Sequence, residues 1–395
     1  MVPPTYEGAR IPEPGPPGGM SEALGRRRIA AVQAFHLAAR LNWPLGGSAR
    51  RQPLSVRQST IVRLLCDDGL VGYGECMGPP TVLVPAVRHL APLVLGADPL
   101  ARNVLTRALM TRAREEGPTG PLVAAVSGID LALWDLAARA LDVPLVVLLG
   151  GGVRDQVPTY AASVYFSSLD EAVDVAGQFV ARGFRSIKVK VGMGVEEDAV
   201  RVAAIRDHVG PEVRLLLDAN GAYDAKAAIT LARRCDSAGI FWIEEPVPAD
   251  DLEGCRRVRD ATALPIAAGE NLSTRQGFAP WIAARAVDVV MPDLGRCGGL
   301  TEAMAVAAMA SAHGVAVSPH CWGSSIAFAA AVHLAAALPH CQLLEFDAHP
   351  DPLREALLGD VLNPRSGAVA VPAGPGIGVE VQEAALREFA APDGG

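Results

Sequence analysis

The chain has 395 residues, half of them hydrophobic and a fifth charged, and its formal net charge is −8. This composition suits a globular enzyme of two domains, and a negative charge without a basic face argues against nucleic acid as the main partner. No run of sequence approaches the about 18 consecutive apolar residues of a membrane span, so no membrane partner is expected.

The seven cysteines form an odd set that contains no C-x-x-C pair. Such a set is typical of reduced thiols, and it does not fit a disulfide framework or a zinc site. We therefore expect a cytoplasmic protein.

Residues 1–28 open the chain with a segment rich in proline and glycine. The segment has no apolar core for a secretory signal, and it can bury too little apolar surface to offset the entropy lost on ordering. We predict a disordered tail.

Residues 29–150 are predicted to form a small α+β domain with an antiparallel sheet. Residues 29–40 have the composition of a strand. Residues 60–66 and 70–75 are strand candidates joined by a turn at 67–69, as in a hairpin, and residues 122–141 repeat apolar side chains on one helical face. Between the first strand and this hairpin, residues 41–52 are predicted to form a loop with apolar, flexible and cationic members.

From residue 151 to 345 strand and helix patterns alternate, which predicts a parallel sheet. The first strand candidate is 158–164, and polar side chains end the later apolar runs at intervals of 23 to 28 residues. A strand, a loop and a helix take about that length in a TIM barrel, whose active site lies at the carboxyl ends of the strands. The number of repeats favours a closed barrel over an open doubly wound sheet. The polar side chains are Lys190, Asp218, Glu244, Glu270, Asp293, His320 and Glu345.

Helical patterns lie between the strand candidates, and residues 346–395 then return to irregular, proline-rich sequence. No regular element is predicted in that last segment. The predicted helices of the barrel cover residues 169–182, 196–208, 225–238, 251–262, 273–284 and 299–312.

Asp218, Glu244 and Glu270 are expected to converge at one mouth of the barrel. Three carboxylates repel one another unless a cation neutralises them, and oxygen ligands without histidine or cysteine suit a hard ion, so Mg²⁺ is the expected cofactor. A single acid at the start of a loop is more often an N-cap or a solvated charge. Three acids at equivalent ends of consecutive strands favour the metal site.

Two groups of side chains are candidates for proton transfer. Lys188 and Lys190 share one face of their strand, and a lysine confined beside another cation has a depressed pKa and can act as a base. His320 lies one unit beyond Asp293, whose carboxylate would orient one imidazole nitrogen and leave the other free for proton transfer. A strand lysine pair or a lone histidine is usually structural, but these neighbours favour catalysis. The two strands lie far apart round the barrel, so the bases should address opposite faces of one carbon.

This arrangement suits a weak carbon acid. A proton α to a carboxylate is hard to remove, because its loss builds a dianionic enediolate. A divalent ion on the carboxylate oxygens would stabilise that charge, with Lys188 and a protonated Glu345 as further donors. The sequence thus predicts metal-assisted abstraction of an α-proton.

The site residues lie in short motifs whose order, spacing and identity agree with one family. The motifs are Lys188-Val189-Lys190, Asp218-Ala219-Asn220, Glu244-Glu245-Pro246, Gly269-Glu270-Asn271, Asp293, Ser318-Pro319-His320, Glu345 and residues 127–135. Over roughly residues 29–385 the chain resembles the mandelate racemase subgroup of the enolase superfamily, whose members use a Lys or His base with Mg²⁺. The resemblance implies an α/β fold, a modified (β/α)7β TIM barrel under an N-terminal α+β capping domain. The C-terminal segment 346–395 would pack on that domain and complete it.

The resemblance also implies roles for the site residues. The implied Mg²⁺ ligands are Asp218, Glu244 and Glu270. Lys190 would be one base and the His320–Asp293 dyad the other. The family's habit of forming dimers that pack into octamers suggests a homo-oligomer.

Substrate contacts follow from the same resemblance. Asn220 would contact the substrate α-hydroxyl, and Lys188 and Glu345 its carboxylate. The loop 41–52 corresponds to the family's mobile capping loop, which closes on the distal end of the substrate. Residues 161–163 do not clearly reproduce the serine contact of mandelate racemase itself, which weakens the case for mandelate.

Two opposed bases permit either racemisation or dehydration, with His320 acting in the second case as the acid for a β-hydroxyl. In the capping loop, Arg50 and Arg51 suit hydroxyls or a second carboxylate, whereas Trp43 would suit an aromatic ring. We favour dehydration of an acid sugar, an aldonate or aldarate, to a 2-keto-3-deoxy acid. The alternative is a racemase or epimerase of a 2-hydroxyacid. A non-catalytic enolase-like binding protein is disfavoured by the full set of acid, base and metal residues.

Overall fold

The structure, a computed structural model, describes residues 27–323 and 325–391. Two sheets organise these residues, a three-stranded antiparallel sheet and a larger, curled parallel sheet. The fold predicted from the sequence, a modified barrel under an N-terminal α+β cap, is confirmed. The tail predicted over residues 1–28 falls almost wholly outside the described residues.

The antiparallel sheet has the order β1 (Ile29–Leu45), β2 (Leu54–Cys66) and β3 (Val71–Cys76). Pairing of β1 with β2 extends to Leu45, opposite Leu54, so the first half of the predicted loop 41–52 is strand. The Pro and Gly residues of that stretch suggested a loop, but the ladder with β2 outweighs this local preference.

Helices cover one face of this sheet. They are α1 (Pro80–Leu90), α2 (Arg102–Glu116), α3 (Pro121–Ala140) and α4 (Leu145–Leu148). Helix α3 is long and apolar enough to cross a membrane by length and composition alone, but 89% of that apolar window is buried inside the fold. It packs so closely on β3 that a Cβ at Gly74 would lie 1.9 Å from the carbonyl oxygen of Gly128. This helix is therefore the core of the cap.

Eight parallel strands form the barrel within the described residues, and β11 pairs with β4 to bring the first and last strands together. The strands are β4 (Gln156–Val164), β5 (Ser186–Lys190), β6 (Arg214–Asp218), β7 (Ile240–Glu244), β8 (Ile266–Ala268), β9 (Val289–Val290), β10 (Ala316–Val317) and β11 (Leu344–Asp347). Between β10 and β11 the described chain has a single isolated bridge, Val317 with Cys341. The hydroxyl of Ser318 also crosses this seam and donates to the carbonyl of Leu343 at 2.9 Å.

Seven helices connect these strands in the part of the chain that is described. They are α5 (Leu169–Ala181), α6 (Val195–Val209), α7 (Ala225–Arg234), α8 (Leu252–Ala261), α9 (Thr274–Ala283), α10 (Gly299–Ala312) and α11 (Ile326–Ala337). Helix α11 was not predicted from the sequence because nearly all of its side chains are buried, so the helix has no polar face to produce a 3.6-residue period.

The C-terminal segment contains α12 (Pro352–Leu358), β12 (Ala368–Ala370) and α13 (Glu383–Glu388), so the prediction of irregular sequence is wrong for these elements. Strand β12 pairs with β4 of the barrel, whereas Ala390 bridges to Leu37 of β1. The segment therefore ties the barrel to the cap instead of packing on the cap alone.

His333, on α11, joins three parts of the chain. Its Nδ1 accepts from the backbone N–H of Val146 at 3.3 Å, and its Nε2 lies 3.0 Å from the carbonyl oxygen of Ile377. Burial lowers the pKa of His333 to about 4. The imidazole is therefore neutral in the folded protein, with its proton on Nε2.

This burial predicts a pH-dependent loss of stability. An unfolded histidine titrates near pH 6.5, so the stability linked to His333 is complete above about pH 6.5 and is lost as the pH falls towards about 4. Between pH 7 and 5 the wild-type protein should lose about 2 kcal/mol more stability than the His333→Gln variant, whose amide keeps a donor and an acceptor. Urea unfolding at both pH values measures this difference, and equal losses would contradict the assignment.

Candidate active site at the barrel mouth

Three carboxylates meet at the carboxyl ends of neighbouring strands. Asp218 ends β6 and Glu244 ends β7, and the two residues are paired in register. Glu270 follows β8 by two residues, and one oxygen from each of the three side chains lies within 4.8 Å of the others. The parallel register therefore brings the predicted trio together, with Asp218 and Glu244 fully buried.

Lys188 is buried among these acids. Its Nζ lies 3.1 Å from Glu244 Oε2, 3.4 Å from Asp218 Oδ2 and 2.7 Å from Glu345 Oε1. Burial alone would lower the pKa of Lys188, but Glu244 and Glu345 outweigh this effect and hold it well above its usual value. The expectation of a depressed lysine pKa is therefore wrong for Lys188, because the carboxylates around it outnumber the cations.

Lys190 lies at the end of β5, on the same face as Lys188. Its Nζ is 2.5 Å from Asp218 Oδ2 and 3.0 Å from Asn220 Oδ1. Asn220 has a positive φ of 45°, a left-handed conformation that asparagine tolerates better than most residues. This conformation at the strand end turns the amide side chain towards the lysine.

The two lysines do not neutralise all the acids. Burial would raise the pKa of Asp218, but Lys190 and Lys188 reverse this and lower it, whereas burial and the charge of Asp218 hold the pKa of Glu244 well above its usual range. Buried carboxyls whose negative charge is not fully neutralised favour binding either a proton or a metal ion between them. Their three convergent oxygens, without sulfur or nitrogen among them, fit a hard divalent cation.

His320 and Asp293 form the predicted dyad. Nδ1 of His320 lies 2.6 Å from Asp293 Oδ2, and Oδ1 of the same carboxylate accepts from the backbone of Gly295 at 2.8 Å. Nε2 of His320 points the other way and lies 3.2 Å from Glu270 Oε2. Burial would lower the pKa of His320, but Glu270, Glu345 and Asp293 raise it to about 9.

The cap closes this site with residues 46–53, which we call the capping segment. Gly47 bridges to Phe166 just beyond β4, which holds the segment over the barrel mouth. Nη1 of Arg50 lies 2.9 Å from Glu245 Oε2, and a Cβ at Gly221 would come within 2.6 Å of Arg50 Nη2. Arg50, predicted to bind substrate, is thus paired with a carboxylate of the barrel.

A catalytic cavity of about 110 Å³ remains beneath the capping segment. Its barrel wall includes Lys190, Asn220, Glu270, His320 and Glu345, and its cap wall includes Arg50 and Arg51. The structure therefore gathers most of the predicted residues around one small polar space. Lys188, Asp218 and Glu244 do not line this cavity, and the side chain of Trp43 is outside the described part of the structure.

Other wall residues were missed by the sequence analysis. Tyr165 and Trp322 line the catalytic cavity, and Nε1–H of Trp322 donates to the hydroxyl of Tyr165 at 2.7 Å. Both follow barrel strands, Tyr165 directly after β4 and Trp322 two residues after His320, so the strand-end rule could have found them. Arg296 and Asn271 also line this cavity.

Comparison with known families identifies the family of this chain. The family described as "Mandelate racemase / muconate lactonizing enzyme, N-terminal domain" matches residues 43–150, and "Enolase C-terminal domain-like" matches residues 171–385. The chain belongs to the mandelate racemase subgroup of the enolase superfamily. It is therefore an enolase-superfamily enzyme, in a family that acts on small carboxylate substrates.

Relatives within the subgroup cover most of the chain. D-galactarolactone cycloisomerase of Agrobacterium fabrum is 37% identical over 378 residues, which are 93% of this chain and 100% of the relative. D-gluconate dehydratase of Thermoproteus tenax is 36% identical over 351 residues, 84% of this chain and 70% of the relative. A racemase from Streptomyces coelicolor A3(2), solved with bound magnesium, has a TM-score of 0.85 and 30% identity, and the match covers 92% of this chain and 100% of that one.

The acid trio predicts a metal-dependent gain in stability. Mg²⁺ should raise the unfolding midpoint of the wild-type protein, because an ion that binds only the folded state stabilises it by mass action. Glu244→Gln should remove most of this gain, since it takes one charged ligand from the trio.

The exposed variant Glu253→Gln, on helix α8, is the matched control and should keep the full response. Differential scanning calorimetry across a Mg²⁺ titration compares the three proteins. An unchanged response in Glu244→Gln would show that the ion binds elsewhere.

Proposed function

We propose that this enzyme removes the proton α to the carboxylate of an acid sugar, an aldonate or aldarate, and expels the β-hydroxyl to give a 2-keto-3-deoxy acid. The observation that carries the proposal is the acid trio, which lies beside one cavity lined by both Lys190 and His320. The similarity to D-gluconate dehydratase supports this substrate class.

We propose Mg²⁺ as the ion, held by Asp218, Glu244 and Glu270. Support comes from the all-oxygen donor set and from the related racemase solved with bound magnesium. When bound, the ion supplies a Lewis acid for the oxygens on which negative charge develops.

Lys188 is suited to hold the substrate carboxylate and not to act as a base. Its ammonium is fully buried and bonded to Glu244 and Glu345, so it remains charged and can donate to an oxygen that becomes more negative during the reaction. Asn220 lines the catalytic cavity and can contact the substrate α-hydroxyl through its amide.

Lys190 and His320 are the two proton carriers of the proposal. They extend from β5 and from the loop after β10, strands that are well separated round the barrel, so they can act on opposite sides of a bound carbon. Asp293 fixes the orientation of the imidazole through Nδ1. Lys190 then takes the α-proton and His320 delivers a proton to the departing hydroxyl.

Isomerisation is the second candidate, and the similarity to D-galactarolactone cycloisomerase favours it. If the leaving oxygen belongs to a lactone ring, the oxygen stays attached after the C–O bond breaks, and the product is an isomer of the substrate. Racemisation or epimerisation of a 2-hydroxyacid would use the same two carriers without any elimination. All three reactions begin with loss of the α-proton.

We also propose a cytoplasmic location and a homo-oligomeric state. All seven cysteines are free and buried, which suits a reducing compartment. Size-exclusion chromatography with light scattering tests the oligomer.

The proposal predicts a Mg²⁺-dependent keto product from an acid sugar. In H₂O the wild-type enzyme should form this product with loss of one water by mass spectrometry, and in D₂O the product should also take up deuterium from the solvent. Lys190→Ala and His320→Asn should each slow product formation by about 10²- to 10⁴-fold, the range for removing a general acid or base.

Lys226→Ala, on the outer helix α7, serves as the control and should keep wild-type activity. In H₂O a keto product of unchanged mass would favour the isomerase, and optical change without a keto group would favour the racemase. Absence of any α-hydrogen exchange across sugar acids and hydroxyacids would reject the shared chemistry.

A further inference from the structure

A tryptophan separates the catalytic cavity from a second space. The guanidinium carbon of Arg51 lies 3.9 Å from the ring centroid of Trp322, and that of Arg57 lies 4.8 Å from it. Arg57 is buried and donates to Asp347 Oδ2 at 2.5 Å. These contacts, together with the bond to Tyr165, hold the indole in a fixed position between the two spaces.

The second cavity has a volume of about 330 Å³ and lies between the cap and the barrel. It shares four wall residues with the catalytic cavity, Arg51, Leu54, Arg296 and Trp322. A substrate held at the metal site could therefore extend past this shared wall, between side chains of the cap and of the barrel.

The shared wall carries two cations that form no ion pair within the described residues, although the charge of Arg51 acts on the Glu270 carboxylate and helps to lower its pKa. Among residues 27–323 and 325–391, neither Arg51 nor Arg296 makes an ion pair, and Nη1 of Arg296 donates to the neutral amide oxygen of Asn271 at 2.8 Å. The two acids that line the second cavity are already engaged. Glu75 accepts from Ser59 and from backbone N–H groups, and Asp293 accepts from His320 and Gly295.

The position of these arginines distinguishes them from Arg50. Arg50 is already paired with Glu245, whose Oε2 lies 2.9 Å from Nη1 of Arg50. Arg51 and Arg296 belong instead to the wall that the two cavities share, where an anionic group of a bound molecule could contact both guanidinium groups.

We propose that Arg51 and Arg296 bind a second anionic group, a carboxylate at the far end of the substrate, whose chain passes Trp322 towards the second cavity. The proposal rests on the function proposed above and narrows its substrate class from aldonates and aldarates to the diacids. Guanidinium groups suit this role because their planar N–H donors match the two oxygens of a carboxylate.

Binding of a matched pair of keto acids tests the subsite without turnover. Isothermal titration with Mg²⁺ present compares 2-oxoglutarate with 2-oxopentanoate, which has the same chain length and lacks the second carboxylate. The wild-type enzyme should bind the diacid about tenfold or more tightly, the range for hydrogen bonds to a charged group. Arg51→Gln and Arg296→Gln should each remove most of this preference and leave the monoacid affinity unchanged.

Two further variants separate charge recognition from structural damage. Arg51→Lys keeps the charge and should keep part of the preference, while Arg112→Gln, on the surface of α2, removes one positive charge elsewhere and should keep all of it. Equal binding of both keto acids by the wild-type enzyme would overturn the subsite. An equal loss of affinity for both keto acids in Arg51→Gln and Arg296→Gln would overturn it as well. If the enzyme prefers the diacid but turns over no acid sugar, only the proposed function is rejected. If it turns over aldonates but shows no preference for the diacid, only the subsite is rejected.

Discussion

Mutual repulsion of three convergent carboxylates is the constraint on which the rest of the structure depends. Asp218, Glu244 and Glu270 are brought together by parallel strands, and such a group persists only where opposite charge surrounds it. Lys188 and Lys190 supply part of that charge from the adjacent strand. The negative charge that the lysines do not neutralise requires a further cation. The same requirement limits which side chains can face the barrel mouth.

Backbone conformation at the strand ends serves the same site. Asn220 and Glu245, each one or two residues beyond a metal-ligand candidate, adopt positive φ values of 45° and 41°. Such conformations cost about 1 kcal/mol or more and persist where surrounding contacts hold them. For Glu245 those contacts include the backbone of Gly221 and the guanidinium of Arg50, so the cap helps to hold a strained turn of the barrel.

Much of the barrel and its acids could be predicted because the information is local. An apolar run that ends in a charged side chain marks both a strand and its carboxyl end, as at Asp218 and Glu244, and the parallel fold then brings such ends to one mouth. Helix α11 was missed because a wholly buried helix loses its amphipathic period. Arg296 was missed as a wall residue because its role depends on contacts with the cap, which no spacing in the sequence records.

Trp322 and its neighbours have an evolutionary consequence. The proposed proton carriers and metal ligands lie at or just beyond the carboxyl ends of barrel strands, whereas Trp322 joins a loop of the barrel to residues 51 and 57 of the cap. Mutations in the cap can therefore change the substrate selectivity while the side chains at the barrel mouth stay the same. A fold divided in this way can acquire new substrates step by step without passing through inactive ancestors.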